Sequence, residues 1–321
     1  MTQDGEPQLT PRNSAPRRRA LVIVNPHATA VSDRLRTVVL SALASRFELE
    51  AVTTRARGHA TELGFMAASG GYELVVTLGG DGTVNETANG LAGSATPLCP
   101  LPGGSANVFC KLLGIPGEIV DATEQLLGRA DDWRVRRLDL ARANGRCFTF
   151  SAGVGIDASV VRVVDARPGL KARYGPSFFT AAALWTFARH YLRDPPRMRV
   201  SADGNTFSGI TAVVQNGGHY TYFNDRPIDL APGASLDGGL LAGAVLRRGS
   251  PLDVPSLLWR GASRSGALAR HRQVDAFTTA TGVTVEAADG RPLPLQLDGD
   301  YIGELERVEF DLQPGALSVV C

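Results

Sequence analysis

The fold class of this chain is decided by the stretch Leu74-Val75-Val76-Thr77-Leu78-Gly79-Gly80-Asp81-Gly82-Thr83. Residues 74–78 are apolar on both faces, which is typical of a buried strand in a parallel sheet. A glycine-rich turn follows at once, and a helix is predicted over residues 83–91. Glycines let the backbone approach a ligand closely, and the first N–H groups of a helix suit phosphate. The stretch predicts a phosphate site in which Asp81 holds Mg²⁺ or a ligand hydroxyl.

Strands and helices alternate on both sides of this stretch. Further strands are predicted over residues 20–24, 49–53 and 97–101, and further helices over residues 32–45 and 59–69. This alternation is typical of helices packed on a parallel sheet. The first half of the chain is therefore predicted to be an α/β domain.

The second half of the chain has a different sequence pattern. Short strand-like segments dominate it, and turn signals separate them. It also contains helical stretches at about residues 158–165, 177–191 and 251–260. Many short strands with turns between them predict an antiparallel β-sandwich. The predicted strands cover residues 137–143, 147–152, 197–202, 209–215, 240–247, 282–287, 293–297, 307–312 and 316–320.

This change of sequence pattern predicts the domain organisation. We expect a disordered N-terminus over residues 1–18, an α/β domain over residues 19–136 and a β-sandwich domain over residues 137–321. A cleft between two domains is a common place for a ligand. We therefore expect the functional site at this junction.

Composition excludes several classes of protein. The 33 Lys and Arg nearly balance the 32 Asp and Glu, which argues against a dedicated nucleic-acid binder. The four cysteines form no CxxC pair and are predicted to be free thiols. The polar N-terminus lacks the apolar region of a secretory signal, and the longest nearly apolar stretch, residues 178–188, is about half of a membrane span. We expect a cytoplasmic protein.

Two more loops should reach the edge of the sheet that carries the glycine-rich turn. Asn25-Pro26 ends the first strand, and Leu101-Pro102-Gly103-Gly104-Ser105-Ala106-Asn107 follows the fourth. Ligands of open α/β sheets bind at the carboxyl ends of the strands. Glycines would allow close approach there, with Ser105 and Asn107 as donors. No GxxxxGK[ST] segment is present, so the chain is not a P-loop enzyme.

Taken together, these segments resemble the catalytic family of diacylglycerol kinases, which includes sphingosine and ceramide kinases and bacterial lipid kinases. The resemblance extends over about residues 19–321 in matching order and looks closest to actinobacterial members. The matching segments are Val24-Asn25-Pro26, Gly79 to Glu86, Leu101 to Phe109, Ser151 to Ala158 and Leu297 to Asp300.

The resemblance implies a nucleotide-binding α/β domain, a β-sandwich domain that binds a lipid acceptor, and ATP with Mg²⁺ as cofactors. It also implies the residues that surround ATP. They are Asn25, Pro26, Thr54, Gly79, Gly80, Asp81, Gly82, Thr83, Glu86, Gly103, Ser105 and Asn107.

Catalysis is implied for Asp81 and for the late motif Asp298-Gly299-Asp300, where the family places a general base. We expect Asp298 to be the base, with Asp300 as the second choice. Two departures from the family pattern stand out. Asp300 replaces the usual Glu, and Thr29-Ala30 replaces the usual Ser-Gly of the first loop.

One further segment, Pro232 to Leu240, resembles a stretch that binds a structural Mg²⁺ in some bacterial members. The usual Asp-Gly appears here as Gly238-Gly239, with Asp237 one place earlier. Asp237 is thus a candidate metal ligand, and a role as a hairpin-turn residue is equally open.

The sequence accordingly predicts an ATP-dependent lipid kinase, with diacylglycerol as the default acceptor and phosphatidic acid as the product. A soluble-substrate kinase similar to NAD kinase and a catalytically silent lipid- or nucleotide-binding module are the alternatives. We expect peripheral contact with the inner face of the cell membrane, and a homodimer is possible. Residues 178–188 form either a core-packed helix or a membrane-facing patch, and Arg17 to Arg19 form either a solvated lead-in or a lipid contact.

Overall fold

The computed structural model describes residues 17–28, 31–223, 226–231, 233–262 and 268–321. The predictions made for residues 1–16, for Thr29 and Ala30 and for Pro232 lie outside these ranges.

The first half of the chain is an α/β layer. Its strands are β1 (Arg19–Val24), β2 (Glu48–Thr53), β3 (Leu74–Gly79) and β4 (Leu98–Pro102). They pair in parallel in the order β2-β1-β3-β4, which confirms the predicted parallel sheet. The helices are α1 (Asp33–Ala44), α2 (His59–Ser69), α3 (Asp81–Leu91), α4 (Val108–Leu112) and α5 (Ile119–Gly128).

The order of these strands creates a crevice at one edge of the sheet. Strand β1 lies between β2 and β3, so the chain moves in opposite directions after β1 and after β3. At the carboxyl ends of β1 and β3, the backbone N–H of Asn25 donates to the carbonyl of Leu78 at 2.9 Å. Crevices at such a reversal of strand order are the usual ligand sites of open α/β sheets.

The second half confirms the predicted antiparallel sandwich. Its strands are β5 (Val135–Ala143), β6 (Arg146–Phe148), β7 (Ser151–Gly155), β8 (Met198–Ala202), β9 (Asn205–Gly209), β10 (Thr211–Gln215), β11 (Thr221–Phe223), β12 (Arg226–Ile228), β13 (Leu241–Leu246), β14 (Val274–Thr279), β15 (Val283–Ala287), β16 (Leu293–Leu297), β17 (Asp300–Leu305) and β18 (Arg307–Val320). One sheet has the order β14-β13-β10-β7-β16-β17, and strands β5, β6, β8, β9, β15 and β18 face it. Alternating apolar residues of both sheets, such as Val154 and Val285, share one buried cluster.

The second half of the chain also contains helices. They are α6 (Ile156–Asp165), α7 (Pro168–Thr186), a π-helical turn (Phe187–Tyr191), α8 (Val254–Ala262) and a 3₁₀ turn (Leu268–Arg270). Within the described part of the chain, no helix is both long and apolar enough to cross a membrane.

The last strand, β18, links the two halves. Phe310 pairs antiparallel with Val283 of the sandwich, whereas Val319 pairs in parallel with Leu98 of the α/β layer. Residues 316–320 contribute Leu317 and Val319 to the core of the α/β half. The sequence analysis places the domain boundary at residue 136 and so assigns residues 316–320 to the sandwich. In the structure these residues pack in the core of the α/β half instead.

The three consecutive arginines each cap the end of a helix. Arg17, Arg18 and Arg19 donate to the carbonyls of Ala44, Ala130 and Gly70 at 3.1, 3.3 and 3.0 Å. Cations near the C-terminal end of a helix interact favourably with its dipole. These contacts fit a structural lead-in to β1, and they hold Arg17 and Arg18, which the sequence assigns to the disordered N-terminus.

Candidate active site

The glycine-rich turn after β3 lies against the loop that follows β4. The N–H of Gly103 donates to the carbonyl of Gly79 at 2.9 Å. A Cβ atom on Gly103 would lie 2.9 Å from the backbone N of Gly79, and one on Gly104 would lie 2.7 Å from the Cα of Gly80. The glycines of both loops are therefore required for this close backbone contact.

Asp81 joins these two loops. Its carboxylate oxygens accept hydrogen bonds from the backbone N–H groups of Val108 and Phe109, both at 3.1 Å, at the start of α4. Burial raises the pKa of Asp81 to about 6, although the two N–H groups act in the opposite direction. The geometry shows a positioning role for Asp81, and contact with a metal ion or with the nucleotide remains a prediction.

Side chains of the other two loops are anchored in the same way. Asn25 Nδ2 donates to Thr83 Oγ1 at 3.0 Å, which ties the end of β1 to the start of α3. Asn107 and Gly104 exchange two hydrogen bonds of 2.8 Å, so that Asn107 adopts a positive φ of 48°. Glu86 accepts from the N–H of Gly58 at 2.8 Å and so holds the loop after β2 against α3.

A cavity of about 300 Å³ opens between these loops. Six of the residues predicted for the site line it, whereas the exposed residues Pro26 and Ser105 do not, nor do Gly79, Gly80, Gly103 and Asn107. The predicted residues in the lining are Asn25, Thr54, Gly82, Thr83, Glu86 and Asp300.

The cavity also contains two guanidinium groups that the sequence analysis missed. They belong to Arg55 and Arg57, and His27 lines the cavity as well. Arg57 Nη2 lies 3.4 Å from Asp300 Oδ1. The position of Arg55 and Arg57 just after β2, at the edge that carries Asn25, was the signal that could have identified them. Two guanidinium groups facing a glycine-rich turn are suited to a phosphate chain.

Asp298 is enclosed by donors. It is 4% exposed. Among the described residues, five donors reach its carboxylate: Asn85 Nδ2 at 2.8 Å, the N–H and hydroxyl of Thr149 at 2.6 and 2.8 Å, and the N–H groups of Phe150 and Ser151 at 3.0 Å. Burial raises its pKa, and the donors oppose that shift. A carboxylate surrounded in this way has no open direction toward a substrate hydroxyl, which argues against Asp298 as the base.

Asp300 is placed differently, although it is only two residues away. The turn Asp298-Gly299, with positive φ at both residues, reverses the chain and directs Asp300 into the cavity. A Cβ atom on Gly82 would lie 2.9 Å from Asp300 Oδ2. The carboxylate of Asp300 therefore rests on the glycine-rich turn, where a bound phosphate chain would lie. This geometry favours Asp300, the second choice of the sequence analysis.

A buried polar chain supports the turn from behind. Gln296 Nε2 donates to Asp157 at 2.7 Å, and Gln296 Oε1 accepts from the N–H of Gly299 at 2.7 Å. Tyr220 donates its hydroxyl hydrogen to the other oxygen of Asp157, whose pKa is raised by burial. Asp157 lies in the segment Ser151 to Ala158, which the sequence analysis singled out only as a family match.

The candidate metal ligand Asp237 lies outside this cavity. Its carboxylate is exposed and pairs with Arg136 at 3.2 Å, a cation where a metal ion would need further oxygen ligands. In the described ranges, no group of three or more His, Cys, Asp or Glu could hold a metal ion. The side chains present around Asp237 do not fit a structural Mg²⁺ site.

Comparisons with known proteins show the family to which the chain belongs. Residues 19–142 match the model of the diacylglycerol kinase catalytic domain, and residues 151–321 match the YegS C-terminal NAD kinase beta sandwich-like domain. A diacylglycerol kinase of Bacillus subtilis is 27% identical over 90% of this chain and 91% of its own length. A probable lipid kinase YegS-like of Pseudomonas aeruginosa is 30% identical over 90% of both chains.

The solved structures show the same fold. A putative diacylglycerol kinase from Bacillus anthracis superposes with a TM-score of 0.71 over 94% of this chain and 96% of its own, at 24% identity. With both halves matched in order, and with a relative at 30% identity over nearly the whole length, the chain belongs to the family of diacylglycerol kinases and YegS-like lipid kinases.

Proposed function

We propose that this lipid kinase transfers the γ-phosphoryl group of ATP to the hydroxyl of diacylglycerol and so forms phosphatidic acid. The observation that carries the proposal is the position of Asp300, whose carboxylate lies against Gly82 of the glycine-rich turn and faces the cavity. A carboxylate beside a phosphate-type loop is the arrangement that phosphoryl transfer to an alcohol requires. The names of the relatives from Bacillus subtilis and other bacteria support diacylglycerol as the acceptor.

The nucleotide is proposed to occupy the cavity with its phosphates at the start of α3. The N–H groups of that helix, with Arg55 and Arg57, would neutralise the phosphate charge. Asn25 and Glu86 fix the two flanking loops, and Asp81 fixes the third.

The cavity also offers donors that suit the Mg²⁺ of Mg²⁺-ATP. Magnesium is commonly held by one or two carboxylates together with substrate phosphates and water. The carboxylate of Glu86 and the hydroxyl of Thr83 line the cavity and are the oxygen groups that would face the ion, which leaves Asp300 for the lipid hydroxyl. When bound, Mg²⁺ would stabilise negative charge that develops on the phosphates.

In the reaction, Asp300 accepts the proton of the lipid hydroxyl as the hydroxyl oxygen attacks the γ-phosphorus. A P–O bond forms to the lipid oxygen, the bond from the γ-phosphorus to the bridging oxygen breaks, and ADP leaves. Arg57, 3.4 Å from Asp300 in the structure, is close enough to contact the transferred group. Because the acceptor is a lipid, the protein is proposed to work at a membrane surface as a peripheral protein.

The proposed activity is tested with γ-labelled Mg²⁺-ATP and acceptors dispersed in mixed micelles. The panel contains diacylglycerol, ceramide and a sphingoid base, with NAD as a soluble acceptor. We expect labelled phosphatidic acid from the wild-type protein and a loss of about 10²-fold or more in Asp300→Asn. Labelled NADP would instead identify a soluble-substrate kinase. ATP binding without any labelled product would identify a silent module.

A further inference from the structure

Helix α3 is joined to the second half of the chain by two asparagines that do not line the cavity. Asn85 and Asn89 are four residues apart, so they lie one turn apart on the same side of the helix. Both reach strand β6, where their Nδ2 atoms donate to the carbonyl of Cys147 at 3.1 and 3.0 Å. Asn89 also donates to the carbonyl of Asn85 at 2.9 Å, which holds its side chain along the helix.

Asn89 binds β6 in the way that a neighbouring strand would. Its Oδ1 accepts from the N–H of Cys147 at 2.9 Å, while its Nδ2 donates to the carbonyl of the same residue. Directly opposed residues of antiparallel strands exchange the same two bonds. Strand β6 pairs with β5 at one edge, and the amide of Asn89 takes the place of a strand at the other. We call the contacts of Asn85 and Asn89 with Cys147 the asparagine clasp.

The asparagine clasp lies next to the turn that carries the proposed base. Strand β6 continues into residues 149–151, whose N–H groups donate to the carboxylate of Asp298. Asn85 donates to the same carboxylate at 2.8 Å, so α3 contacts both the strand and the turn. Asp298 begins the turn that directs Asp300 into the cavity. A displacement of β6 from α3 would therefore move Asp300.

Both ends of α3 take part in this arrangement. Near the start of the helix, Gly82 lies against the carboxylate of Asp300. Asn89 lies near the end of the helix, about 10 Å from Gly82 along the axis at a rise of about 1.5 Å per residue. The helix thus contacts the second half at two separated points, and the contact at Asn89 controls the spacing at Gly82.

We propose that Asn89 is a positioning residue for phosphoryl transfer, because it holds β6 against α3 and so keeps Asp300 at the glycine-rich turn. The inference rests on the proposed function, since it names a residue that places the base of that reaction. Asn89 does not line the cavity, so its loss should change the rate of transfer without changing the binding of ATP. A residue that only stabilised the fold would leave the rate per folded molecule unchanged.

Two substitutions separate position from stability. Asn89→Ala removes the bonds to Cys147, and Asn89→Gln keeps the amide but adds a methylene that pushes β6 away from α3. Asn144→Gly is the matched control. Asn144 makes the same kind of pair with β18, because it accepts from the N–H of Glu309 at 2.8 Å and donates to the carbonyl of Arg307 at 3.2 Å. Its φ of 48° suits glycine.

Initial rates with micelle-dispersed diacylglycerol are measured per folded molecule over a range of ATP concentrations. We expect kcat to fall by about tenfold in both Asn89 variants with KM for ATP unchanged, and wild-type values in the control. Wild-type kcat in both Asn89 variants, or a rise of KM for ATP with unchanged kcat, would overturn the inference. An equal fall of kcat in the control would overturn it as well, since loss of any such amide pair on the sandwich would then have the same effect.

Hydrogen exchange of the nucleotide-free protein tests the asparagine clasp without relying on activity. In Asn89→Ala we expect about tenfold faster exchange of the amides of residues 147–151 and of Gly299, and wild-type exchange of these amides in the control. Unchanged exchange at these positions would refute the asparagine clasp whatever the kinase activity. Faster exchange in a protein that phosphorylates no acceptor of the panel would refute the proposed function alone.

Discussion

Asn85 Nδ2 donates a hydrogen bond of 2.8 Å to Asp298 Oδ2, which joins α3 of the α/β half to the turn that carries Asp300. The two residues are 213 positions apart in the chain. Through this bond the helix that begins at the glycine-rich turn contacts the turn that carries the proposed base. The following predictions depend on that arrangement.

Asp298 and Asp300 should fail in different ways when each is changed to Asn. Asp300→Asn should keep the stability of the wild type and lose about 10²–10⁴-fold in kcat, because it removes the base without disturbing the core. Asp298→Asn should lower the free energy of unfolding by on the order of 3 kcal/mol, because an amide cannot accept from all the donors around it. Urea unfolding and initial rates per folded molecule separate the two effects. A stable Asp298→Asn protein without activity would contradict this assignment.

Gly82→Ala should displace the carboxylate of Asp300. The added Cβ would lie 2.9 Å from Asp300 Oδ2, so the side chain must move. Because misplacement of a catalytic group by about 1 Å can cost about 10²-fold in rate, we expect kcat to fall by that order. Gly128→Ala is the matched control, since a Cβ there meets no atom within 4 Å. Equal kcat values in the two variants would show that Asp300 does not need its observed position.

Gln296 should act as a positioning residue for the turn. Gln296→Met preserves the side-chain length but removes one of the two donors to Asp157 and the acceptor of the Gly299 N–H. We expect kcat to fall by about tenfold while KM for ATP is unchanged, because none of these groups lines the cavity. Gln215→Met, at another buried glutamine of the same sheet, controls for the loss of a buried amide. A rise in KM for ATP with unchanged kcat would contradict the assigned role.

The pH dependence of stability should report the Asp81 carboxyl group. Its pKa is about 6 in the folded protein and about 3.8 in the unfolded chain, so the folded state binds more protons between these values. The free energy of unfolding should therefore decrease, relative to that of the non-titrating Asp81→Asn variant, as the pH rises from about 4 to about 6, and the difference should be constant above about 7. Urea unfolding of both proteins between pH 5 and 8 measures it. A difference that increases with pH would have the wrong sign.

The parallel sheet could be predicted from sequence because β3 and β4 are buried along their whole length, and apart from Thr77 their side chains are apolar. The continuity of β18 could not be predicted from sequence, because Pro314-Gly315 is typical of a turn. In the structure a register shift between Gln313 and Leu317 accommodates these residues within one strand. Local sequence does not reveal such an irregularity, because it depends on the partner strand β5.

One part of the candidate site could be predicted from sequence and another part could not. The loops at Asn25, Gly79 and Gly103 could be predicted because their glycines and strand ends are local signals. The roles of Asp298 and Asp300 could not be separated, since both occur in one short turn. What distinguishes them is the set of donors from Thr149 to Ser151 and Asn85, which only the tertiary structure brings to Asp298.

The position of β18 makes the first half of the protein depend on residues that lie far along the chain. Leu317 and Val319 complete the core of the α/β half, and Val319 pairs with Leu98 of β4. The α/β half can therefore close only after residues 316–320 have been synthesised, and contacts between such distant parts of a chain form slowly. We expect a nascent chain that stops before residue 316 to remain sensitive to protease in both halves, whereas a chain that extends through residue 321 should become protected in both at once.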